Sequence, residues 1–127
     1  MPTANQKRMI KHINATVFKL LKDYHFDEIT IQKICDIAEI NRSTFYRYFQ
    51  DKYDLLFSLP DYIATQFHHE DTRPFLSTEE SFRQFIYFIG EHKKVFKHLL
   101  TSSRQADVFR NLTHVSRELM LDSVKSQ

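Results

Sequence analysis

Apolar residues recur with helical spacing along most of the chain. Near the start, between about residues 5 and 24, one stripe of a helix is formed by Ile10, Ile13, Val17, Leu20, Leu21 and Tyr24. A second stripe, at positions i, i+3, i+4 and i+7, is formed by Ile31, Ile34, Cys35 and Ala38. The hydrophobic pattern therefore predicts a long helix followed by a short one, each with one face directed inward.

The next segment, residues 42–49, is divided between an apolar side and a polar side. Phe45 and Phe49 are four residues apart and point one way on a helix. The polar residues that point mostly the other way are Arg42, Ser43, Tyr46 and Arg47. This pattern predicts a short helix that is held by two phenylalanines and presents hydrogen-bonding groups to its surroundings.

Three residues with side-chain oxygens precede the short apolar segments between residues 30 and 56. Thr30, Asn41 and Asp51 can each act as a helix N-cap, since their oxygens can accept a bond from an unpaired backbone N–H. These residues predict three short helices with two tight connections, which is the arrangement of a helix-turn-helix. The alternative is a small helical core whose surface carries Arg and Tyr, and the pattern alone leaves both open.

A resemblance to a known family favours the first interpretation. The string A-E-I-N-R-S-T-F-Y-R-Y-F-Q-D-K-Y-D-L-L resembles the DNA-binding signature of the TetR (tetracycline-repressor) family of bacterial regulators. The matching residues are Thr30, Ile34, Ala38, Ile40, Thr44, Tyr46, Phe49, Lys52, Leu55 and Leu56. With the preceding helix, the match covers about the first half of the chain.

Two residues depart from the family pattern. Glu39 stands where the turn usually carries glycine, so a left-handed backbone there would cost about 1 kcal/mol. Tyr48 replaces a frequent histidine and can still donate to a phosphate. Neither departure changes the expected fold.

The resemblance implies a partner, double-stranded DNA, and residues that contact it. The residues expected to contact bases are Gln32, Asn41, Arg42, Ser43 and Tyr46. The residues expected to contact phosphates are Thr30, Thr44, Tyr48 and Lys52. It also implies a homodimer on a near-palindromic operator, with affinity changed by a small apolar or aromatic effector bound in the second half. The operator, the effector, the regulated genes and the sign of regulation are not encoded in these patterns.

The second half is also predicted to be helical. Pro60 predicts a bend or short break near residues 58–60. Ser77 and Glu80 form a capping-box pattern that begins a helix. An inward-facing stripe on that helix is predicted for Phe82, Phe85, Ile86 and Ile89.

Gly90 should weaken or end this helix. A last helix with a candidate dimer interface is predicted from Val108, Leu112, Val115 and Leu119. We therefore expect an all-α chain with a DNA-binding head (residues 1–56) and a regulatory and dimerisation region (residues 57–127).

Phenylalanines are concentrated in this second region. The candidates for lining a ligand pocket are Phe67, Phe82, Phe85, Phe88 and Phe96. The same residues can equally form a plain helical core, and the region can alternatively bind a protein partner. Family members usually continue through a further pair of helices that form the dimer interface. The resemblance therefore implies that a chain ending at Gln127 is a fragment or a short member.

Composition excludes several other classes. The chain has one glycine and three prolines among 127 residues, which disfavours strand-and-turn architectures. A single cysteine excludes an intrachain disulfide and suits a reducing cytoplasm, and no signal peptide or long apolar run indicates a membrane. Seven histidines lack metal-ligand spacing, and no catalytic or cofactor signature occurs, so we expect no metal, no cofactor and no enzyme. Net charge is +2, and the excess lies in residues 1–60.

Overall fold

The computed structural model describes residues 3–70 and 77–101, together with the single residues 110 and 117. Six helices are formed in this part of the chain, with no strand among the described residues. Their bounds are α1 Ala4–Leu20, α2 Ile31–Ala38, α3 Arg42–Tyr48, α4 Leu55–Glu70, α5 Thr78–Glu91 and α6 Lys93–Leu100. The all-α prediction is confirmed. The predicted final helix lies outside the described residues apart from positions 110 and 117, and its candidate interface residues Val108, Leu112, Val115 and Leu119 all lie outside them.

Helix starts in the first half are fixed largely by side-chain caps. The Thr30 hydroxyl accepts from the backbone N–H of Lys33 at 3.0 Å and begins α2. The Asp51 carboxylate accepts from the N–H groups of Tyr53 and Asp54, in a single 3-10 turn that leads into α4. Asn41 occupies the N-cap position of α3, but its side chain makes no capping bond. Two of the three predicted caps therefore form, and the third side chain is left exposed at the start of α3.

The turn between α2 and α3 depends on one residue with a left-handed backbone. Glu39 has φ 59° and ψ 47°, and it is the only non-glycine residue with positive φ in the described ranges. The Ile40 N–H donates to the Cys35 carbonyl at 3.0 Å across this turn. The Nε2 atom of His12, on α1, lies 2.8 Å from the Ala38 carbonyl at the end of α2. The turn therefore has the shape that glycine favours, and α1 contacts it from the side.

One apolar core joins the head to the helices that follow. Helix α1 packs on α2 and α4, and α3 packs on α2. Fully buried side chains at the centre come from all parts of the head and from α4: Ile13, Leu21, Phe26, Ile29, Ile34, Phe45, Leu55, Leu56, Leu59 and Ile63. Burial of this apolar surface is the main stabilising contribution to the fold.

Helix α4 is continuous at Pro60, where a bend or a short break is predicted from the sequence. It runs without interruption from Leu55 to Glu70 with Pro60 inside it, so of the predicted bend or short break, the break is not formed. Proline removes a single backbone hydrogen bond, and the buried side chains around Pro60, including Leu59 and Ile63, hold the helix on α1. The helix also spans the expected domain boundary at residue 56.

Helix α5 begins as predicted, but its inner face is different. The Ser77 hydroxyl accepts from the Glu80 N–H at 3.0 Å. Phe82 and Ile86 are each 50% exposed in the single chain, so the predicted inward orientation is not found there for these two residues. The buried residues of this helix are Ser81, Gln84 and Phe88, while Phe85 and Ile89 are half-buried. The inward face is thus rotated toward one edge of the apolar stripe. The helix ends at Glu91, one residue after Gly90.

Helix α6 closes the second half against the head. The Nδ1 atom of His98 lies 2.6 Å from the Leu21 carbonyl at the end of α1. The Nδ1 atom of His25 lies 2.9 Å from the Thr101 hydroxyl oxygen. These contacts, together with buried Val95, Phe96 and Leu99, place α6 beside the end of α1. No described helix is long and apolar enough to cross a membrane.

Candidate nucleic-acid interface

The exposed face shared by α2 and α3 carries a connected group of polar side chains. Arg42 lies between two neighbours: its Nη1 donates to Gln32 Oε1 at 3.5 Å, and its Nη2 donates to the Tyr46 hydroxyl at 3.3 Å. Its guanidinium carbon is 5.9 Å from the centre of the Tyr46 ring. Three of the five residues predicted to contact bases are therefore brought together on one surface.

The remaining predicted base contacts flank this group. Asn41 and Ser43 are exposed at the start of α3, beside Arg42. Behind the helix, Phe45 is fully buried, with its ring 5.4 Å from that of Phe49. Both phenylalanines are directed away from the polar face, as the divided pattern predicts. The helix is therefore anchored on one side and free on the other.

The predicted phosphate contacts are placed less uniformly. Thr44 and Tyr48 are half-buried along the edge of α3. Thr30 is exposed at the start of α2, where its hydroxyl oxygen already caps the helix but its proton can still be donated. Thr30 thus lies at the start of α2, and Thr44 and Tyr48 lie on α3.

Lys52 occupies a different environment from the one predicted for a phosphate contact. Its Nζ donates to the carbonyls of Phe26 at 2.9 Å, Asp27 at 3.2 Å and Ile29 at 2.8 Å. Burial lowers the pKa of the Lys52 ammonium group, and the nearby Asp27 carboxylate opposes that shift. All three ammonium protons are directed at the connection between α1 and α2. A phosphate contact would require Lys52 to exchange at least one of these carbonyls.

The sequence interpretation missed Asp36, which belongs to the same surface. The Gln32 Nε2 donates to Asp36 Oδ1 at 2.8 Å. The two residues are four apart on α2, which is the spacing at which helical side chains meet. That spacing was the available signal, because both residues lie off the apolar stripe of Ile34, Cys35 and Ala38.

The phenylalanines of the second half pack together. Ring centres are 5.4 Å apart for Phe67 and Phe85, 5.4 Å for Phe67 and Phe88, and 6.2 Å for Phe88 and Phe96. These separations are those of aromatic side chains in contact. Phe82 is half-exposed on the outside of α5. In the described part of the chain, Phe67, Phe85, Phe88 and Phe96 therefore pack against one another, whereas Phe82 is exposed on α5.

An open cleft of about 450 Å³ lies elsewhere, between α1 and α4. It is lined by Lys7, Ile10, Lys11, Asn14, Ser58, Asp61, Tyr62 and Thr65. None of the phenylalanines predicted to line a pocket contributes to it. Within residues 3–70 and 77–101, no group of three His, Cys, Asp or Glu side chains is placed to hold a metal ion.

A capped short helix, a tight turn and an exposed polar second helix form a helix-turn-helix. Residues 15–59 match the family model described as "Bacterial regulatory proteins, tetR family". The match covers about a third of the chain and lies in the head, and it confirms the resemblance seen in the sequence.

One curated relative extends the similarity beyond the head. The chain is 22% identical over 108 residues to an uncharacterised HTH-type transcriptional regulator, YxbF, from Bacillus subtilis (strain 168). The match covers 79% of this chain and 28% of the relative, so the chain spans less than a third of that protein's length. No solved structure gives a significant match.

Proposed function

We propose that the chain is a transcriptional regulator, and not an enzyme, that binds a near-palindromic DNA operator as a homodimer. The observation that carries this proposal is the exposed group of Gln32, Arg42 and Tyr46 on the outer face of the helix-turn-helix. A major groove admits an α-helix, and base edges there present distinct donors and acceptors. The outer face of α3 carries side chains that can bind both.

Each side chain in this group has a chemical counterpart on DNA. Arg42 has five N–H donors, of which Gln32 and Tyr46 take two, so three remain for a base. Bidentate contact to guanine is the commonest specific contact of arginine, and Asn41 can contact adenine in the same manner. Ser43 is small enough to allow close approach to a base. These groups supply the base contacts, and Thr30, Thr44 and Tyr48 supply phosphate contacts beside them.

The dimer follows from the size of the site. One recognition helix reads only a few base pairs, which is too few to mark a site among the competing sites of a genome. Two copies that bind half-sites about 34 Å apart double the length that is read. The polar face of α3 has to remain free for DNA, so we place the dimer contact after Pro60.

Selection of bound sequences from a random duplex pool tests the DNA proposal. We expect a near-palindromic motif, and Arg42→Ala should weaken binding to it by about 1–3 kcal/mol and relax preference at one base pair. Arg83→Ala is a matched control, because Arg83 lies on α5 and pairs with Glu79 and Glu80. A pool that yields no motif, or equal effects of the two variants, would contradict the proposal.

Regulation by a small effector remains one candidate for the second half. A protein surface is the other, and one observation favours it: Phe82, Ile86 and Tyr87 are 50%, 50% and 67% exposed on the outside of α5. A cluster of exposed apolar side chains is typical of a surface that another protein covers. The packed rings of Phe67, Phe85 and Phe88 on the inner side provide a firm base for such a surface.

Sedimentation separates these two candidates. If α5 binds a protein surface, Ile86→Ser should reduce self-association or binding of a partner while the unfolding midpoint stays nearly unchanged. Phe57→Ser is the control, since Phe57 is 64% exposed on α4. If Ile86→Ser has no effect on assembly and a small apolar compound raises the unfolding midpoint, the effector proposal is favoured instead.

A further inference from the structure

Asp36 is the member of the polar surface whose role the DNA proposal leaves open. It lies on α2, exposed, one turn after Gln32, and its Oδ1 accepts from Gln32 Nε2 at 2.8 Å. An acid on a surface that approaches phosphates opposes binding through charge. Its position therefore needs a reason other than attraction to DNA.

The contact with Asp36 determines which way the Gln32 amide faces. A carboxylate can only accept hydrogen bonds, so the NH₂ group of Gln32 has to face Asp36. The amide oxygen then faces the other way, toward Arg42 Nη1 at 3.5 Å. The reversed amide would direct its oxygen at a carboxylate and its NH₂ at a guanidinium group, which is unfavourable on both sides.

Arg42 is consequently held from two directions. Gln32 accepts from Nη1, and the Tyr46 hydroxyl accepts from Nη2. A long side chain that is already ordered before binding loses less conformational freedom when it contacts a base. Two hydrogen bonds in series, from Gln32 to Asp36 and from Arg42 to Gln32, therefore let Asp36 on α2 orient Arg42 on α3.

We propose that Asp36 is a positioning residue that sets the base preference of Arg42, for guanine, through the amide of Gln32. This inference rests on the proposed DNA-binding function. Asp36 also weakens general attraction to phosphates because of its charge. Both effects act in the same direction, since they raise the ratio of specific to non-specific binding.

Four single substitutions in the full chain, the fourth being Gln32→Ala, and one double variant test the inference. Asp36→Ala removes the acceptor and the charge, whereas Asp36→Asn removes the charge and keeps an oxygen that can accept from Gln32. Asp23→Ala is the control for loss of an acid from the head, because Asp23 is exposed and outside this group. Each variant is passed through selection from a random duplex pool, and its affinity for a scrambled duplex is measured at the same salt concentration.

Asp36→Ala should lower preference at the base pair that depends on Arg42 by roughly three- to tenfold, while affinity for the scrambled duplex rises. A merely structural role would lower both together. Asp36→Asn should keep most of the preference, and Asp23→Ala all of it. Gln32→Ala combined with Asp36→Ala should cause no further loss than Gln32→Ala alone.

Three results would overturn the inference. The first is an unchanged preference in Asp36→Ala, and the second is an equal loss in Asp36→Asn and Asp36→Ala, which would mean that charge alone acts. The third is additive loss in the double variant. A wild-type chain that selects a motif in these cases leaves the DNA-binding proposal standing, whereas a wild-type chain that selects none rejects both.

Discussion

The head and helix α5 differ in how completely their apolar side chains are buried and their polar groups are hydrogen-bonded. In the head, the ends of the short helices are bonded by Thr30, Asp51 and His12, and Phe26, Ile34 and Phe45 are fully buried. On α5, Phe82 and Ile86 are half-exposed, while Gln84 is only 2% exposed. The Gln84 Oε1 is buried without a hydrogen-bond partner, and its Nε2 makes a contact of 3.4 Å with Glu80.

This contrast indicates that contacts within the chain stabilise the head more than they stabilise α5. A buried amide oxygen without a donor costs on the order of 1–3 kcal/mol, and exposed aromatic rings contribute little. The head meets its own requirements within the chain, whereas α5 presents surface that further contacts would bury. Substitutions at Phe45, Lys52, Glu39 and Cys35 test that difference, and the largest effect is expected at Phe45.

The largest expected effect is loss of a buried ring in the head. Phe45→Ala should lower the free energy of unfolding by about 3–5 kcal/mol, because Phe45 is fully buried and packs on Phe49. Phe82→Ala, the matched variant on α5, should lower it by less than about 1 kcal/mol. Denaturant unfolding of both variants measures this, and equal losses would show that the two regions do not differ.

The next effect concerns Lys52, which joins the start of α4 to the connection between α1 and α2. Lys52→Met keeps the side-chain length but removes the ammonium donor from the carbonyls of Phe26, Asp27 and Ile29, of which Phe26 still accepts from the Ile29 N–H. We expect a loss of about 2 kcal/mol in the free energy of unfolding.

Lys33→Met is the control for Lys52→Met. Lys33 Nζ lies 3.8 Å from the centre of the Tyr24 ring, an interaction of about 0.5–1 kcal/mol at an exposed site. If Lys52→Met unfolds like the wild type but binds every duplex more weakly, Lys52 acts on phosphate and not on the fold.

A smaller effect, of opposite sign, is expected at the turn. Glu39→Gly should raise the free energy of unfolding by about 1 kcal/mol, because the left-handed backbone at φ 59° is strained for any residue with a Cβ atom. Glu39→Ala keeps the Cβ atom and should bring no such gain. Thermal unfolding of both variants is sufficient, and a gain in Glu39→Ala alone would refute the argument.

The smallest effect is a pH dependence at Cys35, which is 2% exposed in the core of α2. Burial raises the pKa of the Cys35 thiol above its usual 9.0. Between pH 9.0 and the raised value, the folded chain holds the proton and the unfolded chain has lost it. The contribution of Cys35 to stability therefore falls as pH rises through this window.

Unfolding curves of the wild type and Cys35→Ala above pH 9.0 measure that contribution. The difference between the two free energies of unfolding should shrink with rising pH. A difference that is constant with pH would show that the thiol has the same pKa in both states.

The head could be predicted closely because its signals are local. Spacing alone placed Ile34, Cys35 and Ala38 inward, and Thr30 and Asp51 cap their helices as their side chains indicate. The requirement for a left-handed residue at Glu39 followed from comparison with a glycine-containing turn.

Other features depend on contacts between distant parts of the chain. The three carbonyls around Lys52 come from residues more than twenty positions earlier, so no local pattern reveals them. On α5, the spacing of Phe82 and Ile86 correctly predicted that both lie on one face of a helix. Whether that face is buried depends on what packs against it, which the spacing does not specify. The link between Gln32 and Arg42 also required knowledge of how α2 and α3 are oriented.

The bond between His98 and the end of α1 limits how the head can move. Helix α4 continues from the head into the second half, and α6 contacts the carbonyl of Leu21, directly after α1, at a separate point. Two separate connections restrict rotation of the second half relative to the head more than α4 alone would. Any change in the position of α6 therefore acts directly on the end of α1, in addition to the connection through α4.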